Sequence, residues 1–288
     1  MRRRLGLIAA IVLIALTSTL TPVVPATAAS APLVVAHRGA SAYAPENTVA
    51  AFELARDRGA DMFELDVQET RDHHLVLMHD TTLGRTTDVE EVLPGRAPWR
   101  VGDLTLAEIR RLDAGSWFSR NAGFSRKYAG EAVPTLGEAL RAMRDSGLGL
   151  LLEIKEPRLY PGIEARVAEE IGRDPVWRGR IVVQSFDWNS MRRFHSLMPR
   201  VPIGLLGTPR VAELPGLARF ADQINPPYAD VTAEYVRRVH RLGMKVLAWT
   251  VDDPAAVRRL IGAGVDGVIT NEPDVVRDIT ARGRRPRR

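Results

Sequence analysis

The sequence contains no cysteine. This absence excludes disulfide bonds, thiolate metal sites, a thiol nucleophile and a lipid-modified cysteine. A chain of 288 residues without disulfides must be stabilised by its hydrophobic core. Its length is sufficient for one large domain with such a core.

Long apolar runs are also scarce, and the longest lies at the N-terminus. Arg2, Arg3 and Arg4 precede the apolar stretch 5–16, and an Ala-x-Ala triplet ends at Ala28. This order predicts an export signal over residues 1–28, and the apolar stretch is shorter than the roughly 20 residues of a spanning helix. We therefore expect cleavage, a secreted or periplasmic location, and no membrane span in the mature protein.

Positive charge is concentrated at the two ends of the chain. The formal net charge is +5. The three N-terminal arginines and the five arginines from Arg282 onward together carry +8, so the residues between them have a net charge of 5 − 8 = −3. A mildly acidic globule does not offer a nucleic-acid-binding surface. We expect no nucleic-acid partner and a disordered basic tail over residues 282–288.

Short apolar runs alternate with helix-like segments from Leu33 onward. Strands that are apolar on both faces and alternate with helices form a parallel sheet, and eight of them predict an α/β fold, the (β/α)8 TIM barrel, here over residues 29–281. The predicted strands lie at 33–37, 61–67, 148–154, 180–186, 201–206, 221–226, 245–251 and 266–270. The helix-like segments lie at 47–58, 136–146, 163–171, 188–196, 209–220, 232–242 and 254–263.

A ninth apolar run, at 75–80, follows the second strand after a short link. The link is too short for a parallel crossover, which needs a dozen or more residues, so the pattern predicts a β-hairpin that turns at 71–74. Residues from about 81 to 130 show no strand–helix rhythm. They predict a long insertion after the second barrel strand, above the barrel mouth.

Charged side chains stand at the ends of several predicted strands. Active sites of such barrels lie at the C-terminal strand ends, and side chains two apart on a strand share a face, so we expect these residues to converge. The residues are His37, Arg38, Glu64, Asp66, His79, Glu153 and Lys155.

Three carboxylates in a chain without cysteine favour a hard divalent cation, Ca²⁺ or Mg²⁺, over structural zinc. The alternative is an ion-pair network of these carboxylates with Arg38 and Lys155. The two histidines favour the metal and are suited to proton transfer. A small phosphate-containing substrate would suit a site of this charge.

Eight motifs lie at and around these positions. They are AHRGASAYAPENT (36–48), ELDVQET (64–70), LVLMHD (75–80), LDAGSWF (112–118), AVPTLGEAL (132–140), LLLEIK (150–155), QSF (184–186) and AWTV (248–251). Together they resemble the glycerophosphodiester phosphodiesterase family, and the match is specific because the motifs follow one another in order over almost the whole mature chain.

The resemblance implies a TIM-barrel phosphodiesterase that uses a divalent cation and releases glycerol 3-phosphate and an alcohol from glycerophosphodiesters. It also implies a role for each matching residue. These roles are proton transfer by His37 and His79, metal ligation by Glu64, Asp66 and Glu153, phosphate binding by Arg38 and Lys155, a substrate-pocket wall at Trp249, and outer support of His37 or of the metal ligands by Glu46.

Two positions depart from the family pattern. His73 stands where the hairpin turn usually has glycine, and Asn271 stands where the closing Thr-Asp-x-Pro motif has aspartate. We assign Asn271 no role and expect neither departure to touch the site.

Three alternative functions share this site composition. They are a phospholipase D-like lipid phosphodiesterase, a barrel that binds glycerophosphodiesters without cleaving them, and a structural barrel closed by ion pairs. The preferred head group, the choice between Ca²⁺ and Mg²⁺, the separate roles of the two histidines and the oligomeric state stay open at this point.

Overall fold

The computed structural model describes residues 31–118 and 127–282. The predicted export signal and nearly all of the predicted basic tail lie outside these ranges, so both stay predictions.

A closed parallel barrel forms the centre of the molecule. The strands of the described residues are β1 (Leu33–Ala36), β2 (Met62–Glu69), β3 (Leu75–Leu77), β4 (Gly149–Ile154), β5 (Ile181–Ser185), β6 (Ile203–Leu206), β7 (Gln223–Asn225), β8 (Lys245–Ala248) and β9 (Gly267–Thr270). Eight of them are parallel and follow the order β1-β9-β8-β7-β6-β5-β4-β2, and β2 pairs with β1 to close the circle. Each of the eight predicted runs overlaps one of these parallel strands, so the predicted TIM barrel is confirmed.

The remaining strand, β3, forms the predicted hairpin with β2. Val67 of β2 faces Leu77, and Glu69 faces Leu75, in antiparallel register. His73 in the turn has a φ of 65°, the left-handed conformation for which glycine is the usual residue. The departure at His73 therefore leaves the hairpin intact.

Helices connect the strands and cover the outside of the barrel. Several begin at a Thr or Asp whose side chain accepts a backbone N–H, as Thr135 and Asp253 do. No helix among the described residues is long and apolar enough to cross a membrane. Within the described residues, the helices include α1 (Val49–Asp57), α2 (Val89–Val92), α3 (Leu106–Ile109), α4 (Leu136–Ala142), α5 (Ile163–Gly172), α6 (Trp188–Leu197), α7 (Leu214–Leu217), α8 (Ala233–His240), α9 (Pro254–Ala263) and α10 (Pro273–Arg282).

Two helices differ from the sequence prediction. The predicted helix at 209–220 is a single turn, α7, because Pro215 and Gly216 are the poorest helix formers and lie in its middle. The final helix, α10, was not predicted, although Pro273 at its first position is a common helix start.

The insertion after the hairpin has a small hydrophobic core of its own. Leu83, Val89, Val101 and Ile109 are fully buried there and pack with Val76 of β3. The insertion thus packs on the hairpin that carries His79 near its end.

Inside the barrel, one apolar layer supports the polar residues above it. Val35, Met62, Leu151, Leu247 and Ile269 pack together in the barrel interior. Because alternate residues of a strand point the same way, residues two positions further along also face inward, at the C-terminal mouth. Those residues are His37, Glu64, Glu153, Trp249 and Asn271.

Candidate active site

Three buried carboxylates lie together at the barrel mouth. Glu64, Asp66 and Glu153 each offer an oxygen, and these oxygens lie within 4.8 Å of one another. The parallel register of β2 and β4 places Asp66 directly beside Glu153, and Glu64 precedes Asp66 by two residues on the same face. The structure thus brings the three predicted metal ligands together.

Mutual repulsion and burial change the acidity of this group. Burial, together with the charges of Asp66 and Glu153, raises the pKa of Glu64 well above its ordinary value. Burial and Asp66 raise the pKa of Glu153 to about 8. Burial acts in the same direction on Asp66, but Arg38 and Lys155 outweigh it and lower the pKa of Asp66.

A divalent cation fits this donor set. All three donors are carboxylates, which hard cations such as Ca²⁺ and Mg²⁺ prefer, and they outnumber the two basic side chains beside them. Without a cation, the raised pKa values mean that Glu64 and Glu153 retain protons that a cation would displace. The residues present could therefore hold the metal that the sequence predicts.

Hydrogen bonds from outside the group fix two of the carboxylates. The backbone N–H of Arg38 donates to Glu64 at 2.7 Å. The side-chain amide of Asn47 donates to Asp66 at 2.8 Å and accepts from the backbone N–H of Asp66 at 3.0 Å. Thr48 caps α1, whereas the neighbouring Asn47 orients a candidate ligand, a role that the sequence analysis did not identify.

Both predicted phosphate-binding cations lie beside the carboxylates. Nζ of Lys155 lies 2.8 Å from Glu153 and 3.8 Å from Asp66, while Nε of Arg38 lies 3.4 Å from Asp66. This Nε is buried and has no hydrogen-bond acceptor among the described residues. A buried, charged donor without an acceptor is costly, so it is well placed for an anionic ligand.

The backbone at the end of β1 is unusual. Arg38 has a φ of 56°, in the left-handed region, and Gly39 follows with a φ of 84°. A Cβ on Gly39 would lie 2.6 Å from the carbonyl carbon of Ala51. This turn lets α1 approach the strand end and directs the N–H of Arg38 at Glu64.

The second histidine, His79, lies at the end of a chain of polar side-chain contacts. Its Nδ1 lies 2.6 Å from Oδ1 of Asp80, and Arg85 donates to the other oxygen of Asp80 at 2.6 Å. Arg85 also donates to Glu46, and Glu46 accepts from Arg38 at 2.8 Å. Glu46 therefore supports Arg38 rather than His37, and the sequence analysis missed both Asp80 and Arg85.

The first histidine, His37, is held by a residue to which the sequence analysis gave no role. Nδ1 of His37 lies 2.8 Å from Oδ1 of Asn271, at the end of β9. The expectation that the departure at Asn271 leaves the site untouched is wrong. The contact was missed because it joins residues 234 positions apart.

A cavity of about 110 Å³ lies between these groups at the mouth. Trp249 and Phe186 form one wall, with ring centroids 5.6 Å apart at nearly a right angle. Asp66 does not line the cavity, and Phe186 is a wall residue that the sequence analysis did not single out. The predicted residues on the cavity are His37, Arg38, Glu64, His79, Glu153, Lys155 and Trp249.

One prediction concerns pH and stability. Burial, followed by the charge of Arg38, lowers the pKa of His37 to about 4. The unfolded chain takes up this proton near pH 6.5 and the folded chain near pH 4, so the contribution of His37 to the free energy of unfolding should fall as pH decreases between these values. We expect this residue to contribute on the order of 2–3 kcal/mol to that fall.

Chemical denaturation of metal-free protein at pH 4.5 and 7 measures this contribution. Relative to the wild type, His37→Gln should make the free energy of unfolding at pH 4.5 higher compared with that at pH 7, while the control His195→Gln, on α6, should leave this comparison unchanged. Equal pH dependence in the wild type and in His37→Gln would contradict the assignment.

Comparisons with known proteins agree with the geometry. The family model described as the glycerophosphoryl diester phosphodiesterase family matches residues 37–275. A glycerophosphodiester phosphodiesterase of Caldanaerobacter subterraneus is 39% identical over 254 residues, which cover 87% of this chain and 98% of that protein. A glycerophosphodiester phosphodiesterase of Bacillus subtilis is 36% identical and covers 84% of each chain.

A solved structure is similar over the same region. An Oleispira antarctica phosphodiesterase, in complex with the product sn-glycerol-3-phosphate, superposes with a TM-score of 0.76 at 29% identity, over 87% of this chain and 97% of that one. The resemblance of the motifs is thus confirmed. The chain belongs to the glycerophosphoryl diester phosphodiesterase family and is an enzyme of that family.

Proposed function

We propose that the protein hydrolyses small glycerophosphodiesters to glycerol 3-phosphate and an alcohol, with a divalent cation at Glu64, Asp66 and Glu153. The observation that carries this proposal is one small cavity that combines carboxylates, two basic side chains and two histidines. The product bound by the Oleispira relative is the product expected here.

Arg38 and Lys155 would bind the non-bridging phosphate oxygens. The unsatisfied Nε of Arg38 offers a donor, and Glu153 and Asp66 raise the pKa of Lys155 despite its burial, so Lys155 stays charged. Fixed positive charge stabilises the negative charge that develops on the phosphate in the transition state. A cation bound by the carboxylates would polarise the phosphate and lower the pKa of a coordinated hydroxyl group.

His37 and His79 would move the protons of the reaction. Cleavage breaks the bond between phosphorus and the oxygen of the alcohol head group, and the phosphate stays on glycerol. One histidine takes a proton from the attacking oxygen, and the other gives a proton to the departing alkoxide. The aromatic wall of Trp249 and Phe186 would border the organic part of the substrate.

The test is product analysis with glycerophosphocholine. We expect glycerol 3-phosphate and choline, and no phosphocholine, because the alkoxide that leaves is that of the head group. Intact phosphatidylcholine in vesicles serves as the competing substrate. Release of phosphocholine, or cleavage of the vesicle lipid with glycerophosphocholine untouched, would contradict the proposal.

A further inference from the structure

A second cavity, of about 200 Å³, lies at the barrel mouth beside the first one of about 110 Å³. Glu153, Lys155 and Phe186 line both cavities, so the two share a wall. The remaining lining residues lie at the ends of β4 and β5 or directly after these strands. None of them takes part in the proposed reaction, so the second cavity has no assigned occupant.

The shape of the substrate connects the two cavities. A glycerophosphodiester carries two organic groups on one phosphate, the glycerol and the alcohol head group. Lys155, which would bind the phosphate, lies at the shared wall. The candidate metal ligand Glu64 lines the first cavity and not the second, and hydroxyl oxygens suit a hard cation, so the glycerol belongs in the first cavity. The second cavity is then the space beside the phosphate that remains for the head group.

Three carboxylates line the second cavity, and two of them already have partners. Glu153 lies 2.8 Å from Nζ of Lys155. Asp187 accepts two backbone N–H groups of α6 on one oxygen and Nε of Arg158, 3.0 Å away, on the other. The side chain of Glu156 makes no hydrogen bond or ion pair with the residues that the structure describes. A head group in this cavity therefore meets one carboxylate whose charge is not neutralised.

The backbone changes direction at Glu156. Its φ of 38° and ψ of 52° are left-handed, a conformation that is unfavourable for a residue with a Cβ. Pro157 follows and begins a single 3₁₀ turn, Pro157–Leu159, so the chain leaves the direction of β4 at this point. The side chain of Glu156 is exposed and lines the cavity. A ligand in the cavity can therefore reach its carboxylate.

Phe186 provides an aromatic surface on the same cavity. The residue is 54% exposed, and its ring borders Trp249 at one side. Nζ of Lys155 lies 5.8 Å from the ring centroid, so the ring is already within the range of a cation–π contact. Aromatic faces attract organic ammonium groups in the same way. An exposed ring beside an unpaired carboxylate suits an organic cation.

The two basic side chains on the cavity are both paired. Arg158 lies 3.0 Å from Asp187, and its side chain is largely in solvent. Lys155 lies beside Glu153 and Asp66, and it is the residue proposed to bind the phosphate. Because both charges have carboxylate partners, neither basic side chain offsets the charge of Glu156.

We propose that the second cavity is the head-group site, and that Glu156 and Phe186 make the enzyme prefer glycerophosphodiesters with a cationic head group, such as choline or ethanolamine. The inference rests on the proposed function and adds a residue that selects among its substrates. The carboxylate of Glu156 pairs with the ammonium group, and the ring of Phe186 contacts the alkyl groups beside it. An uncharged polyol head group can donate hydrogen bonds to Glu156 but gains no attraction between charges.

The test is the ratio of kcat/KM for glycerophosphocholine to kcat/KM for glycerophosphoglycerol. Glu156→Gln keeps the shape and an acceptor oxygen and removes the charge, so this ratio should fall by about two- to fivefold, the effect of an exposed ion pair. Glu156→Lys replaces attraction by repulsion and should lower the ratio by about tenfold. The control Glu234→Gln removes an exposed carboxylate of α8 that lines neither cavity, and it should keep the ratio of the wild type.

Salt separates this charge effect from a structural role of Glu156. Added salt should lower the ratio in the wild type, because it screens exposed charges, and should leave the ratio of Glu156→Gln unchanged. An unchanged ratio in Glu156→Gln and Glu156→Lys, even if both rates fall, would overturn the proposal. If Glu156→Lys does not fold, the ratio in Glu156→Gln and its response to salt decide.

Failure of the proposed function would appear differently, as hydrolysis of neither diester by the wild type. Calorimetric titration of the full chain with each diester then tests the cavity without turnover. Tighter binding of glycerophosphocholine than of glycerophosphoglycerol by the wild type, with the difference reduced in Glu156→Gln, would support the head-group site. Equal affinities in the wild type, or no binding of glycerophosphocholine, would overturn it.

Discussion

The two single variants His37→Ala and His79→Ala should each have a kcat for glycerophosphocholine about 10²–10⁴-fold lower than the wild type, because each ring supplies one proton transfer in the transition state. Both rings line the cavity beside the candidate metal ligands. KM should change much less, because Arg38 and Lys155, rather than the two histidines, would bind the phosphate. The measurement is steady-state release of glycerol 3-phosphate by the two variants and the wild type.

His195→Ala is the matched control for these variants. His195 is partly buried on α6 and packs against Phe220, away from the cavity. We expect this variant to retain turnover near that of the wild type. Near-wild-type kcat in either His37→Ala or His79→Ala would contradict the two-histidine account.

Replacement of Glu64 by glutamine should abolish cation-dependent turnover and also raise the stability of the metal-free protein. Glutamine still offers an oxygen to the N–H of Arg38, so the local hydrogen bond can persist. The substitution removes one of three clustered carboxylates, whose charged form is destabilised by burial and by repulsion from the other two. The same charge is needed to bind the cation.

The carboxylates Glu64 and Glu153 should make the free energy of unfolding of the metal-free protein depend on pH, in a direction that follows from their pKa shifts. The pKa values of Glu64 and Glu153 are raised in the folded protein, so their protonated forms contribute stability at low pH. That contribution should be lost as pH rises from about 4.5 toward 8. Glu64→Gln should weaken this loss.

Thermal unfolding with and without Ca²⁺ or Mg²⁺ measures both effects. At a cation concentration 100 times its Kd, the wild type should gain about 2.7 kcal/mol. Glu64→Gln should have a higher metal-free Tm and no such gain. The control Glu164→Gln removes a buried carboxylate held by Ser190 and Arg193, outside the cavity, and should keep the cation-induced gain. Equal cation responses in the wild type and in Glu64→Gln would contradict the assigned ligands.

The barrel and the main site residues follow from local sequence patterns. Glu64 and Asp66 interrupt an apolar strand two residues apart, and Glu153 and Lys155 do the same in another strand. That spacing places both pairs on the inner face, and parallel strands bring their C-terminal ends to one mouth. Periodicity alone was therefore enough to expect the convergence that the structure shows.

The supporting contacts could not be found in the same way. Asn47, Arg85 and Asn271 act through side-chain hydrogen bonds whose partners lie far along the chain or on irregular loops. No periodic pattern marks such contacts, since they depend on how loops pack over the mouth. Asn271 was discounted because it departs from the family motif, yet its amide makes the contact to His37.

Local composition also explains the error at 209–220. The apolar spacing there resembles a helix, but Pro215 and Gly216 limit α7 to one turn. The sequence does contain a helix-start signal for α10, because Pro273 occupies its first position.

The central claim is that a cation at the three carboxylates is required for cleavage of a glycerophosphodiester. The most direct measurement is release of glycerol 3-phosphate from glycerophosphocholine by the full chain after exhaustive chelation, followed by addition of Ca²⁺ or Mg²⁺. We predict that chelation abolishes release and that one of the two cations restores it in the wild type but not in Glu64→Gln. Release that continues after complete removal of metal would contradict the account.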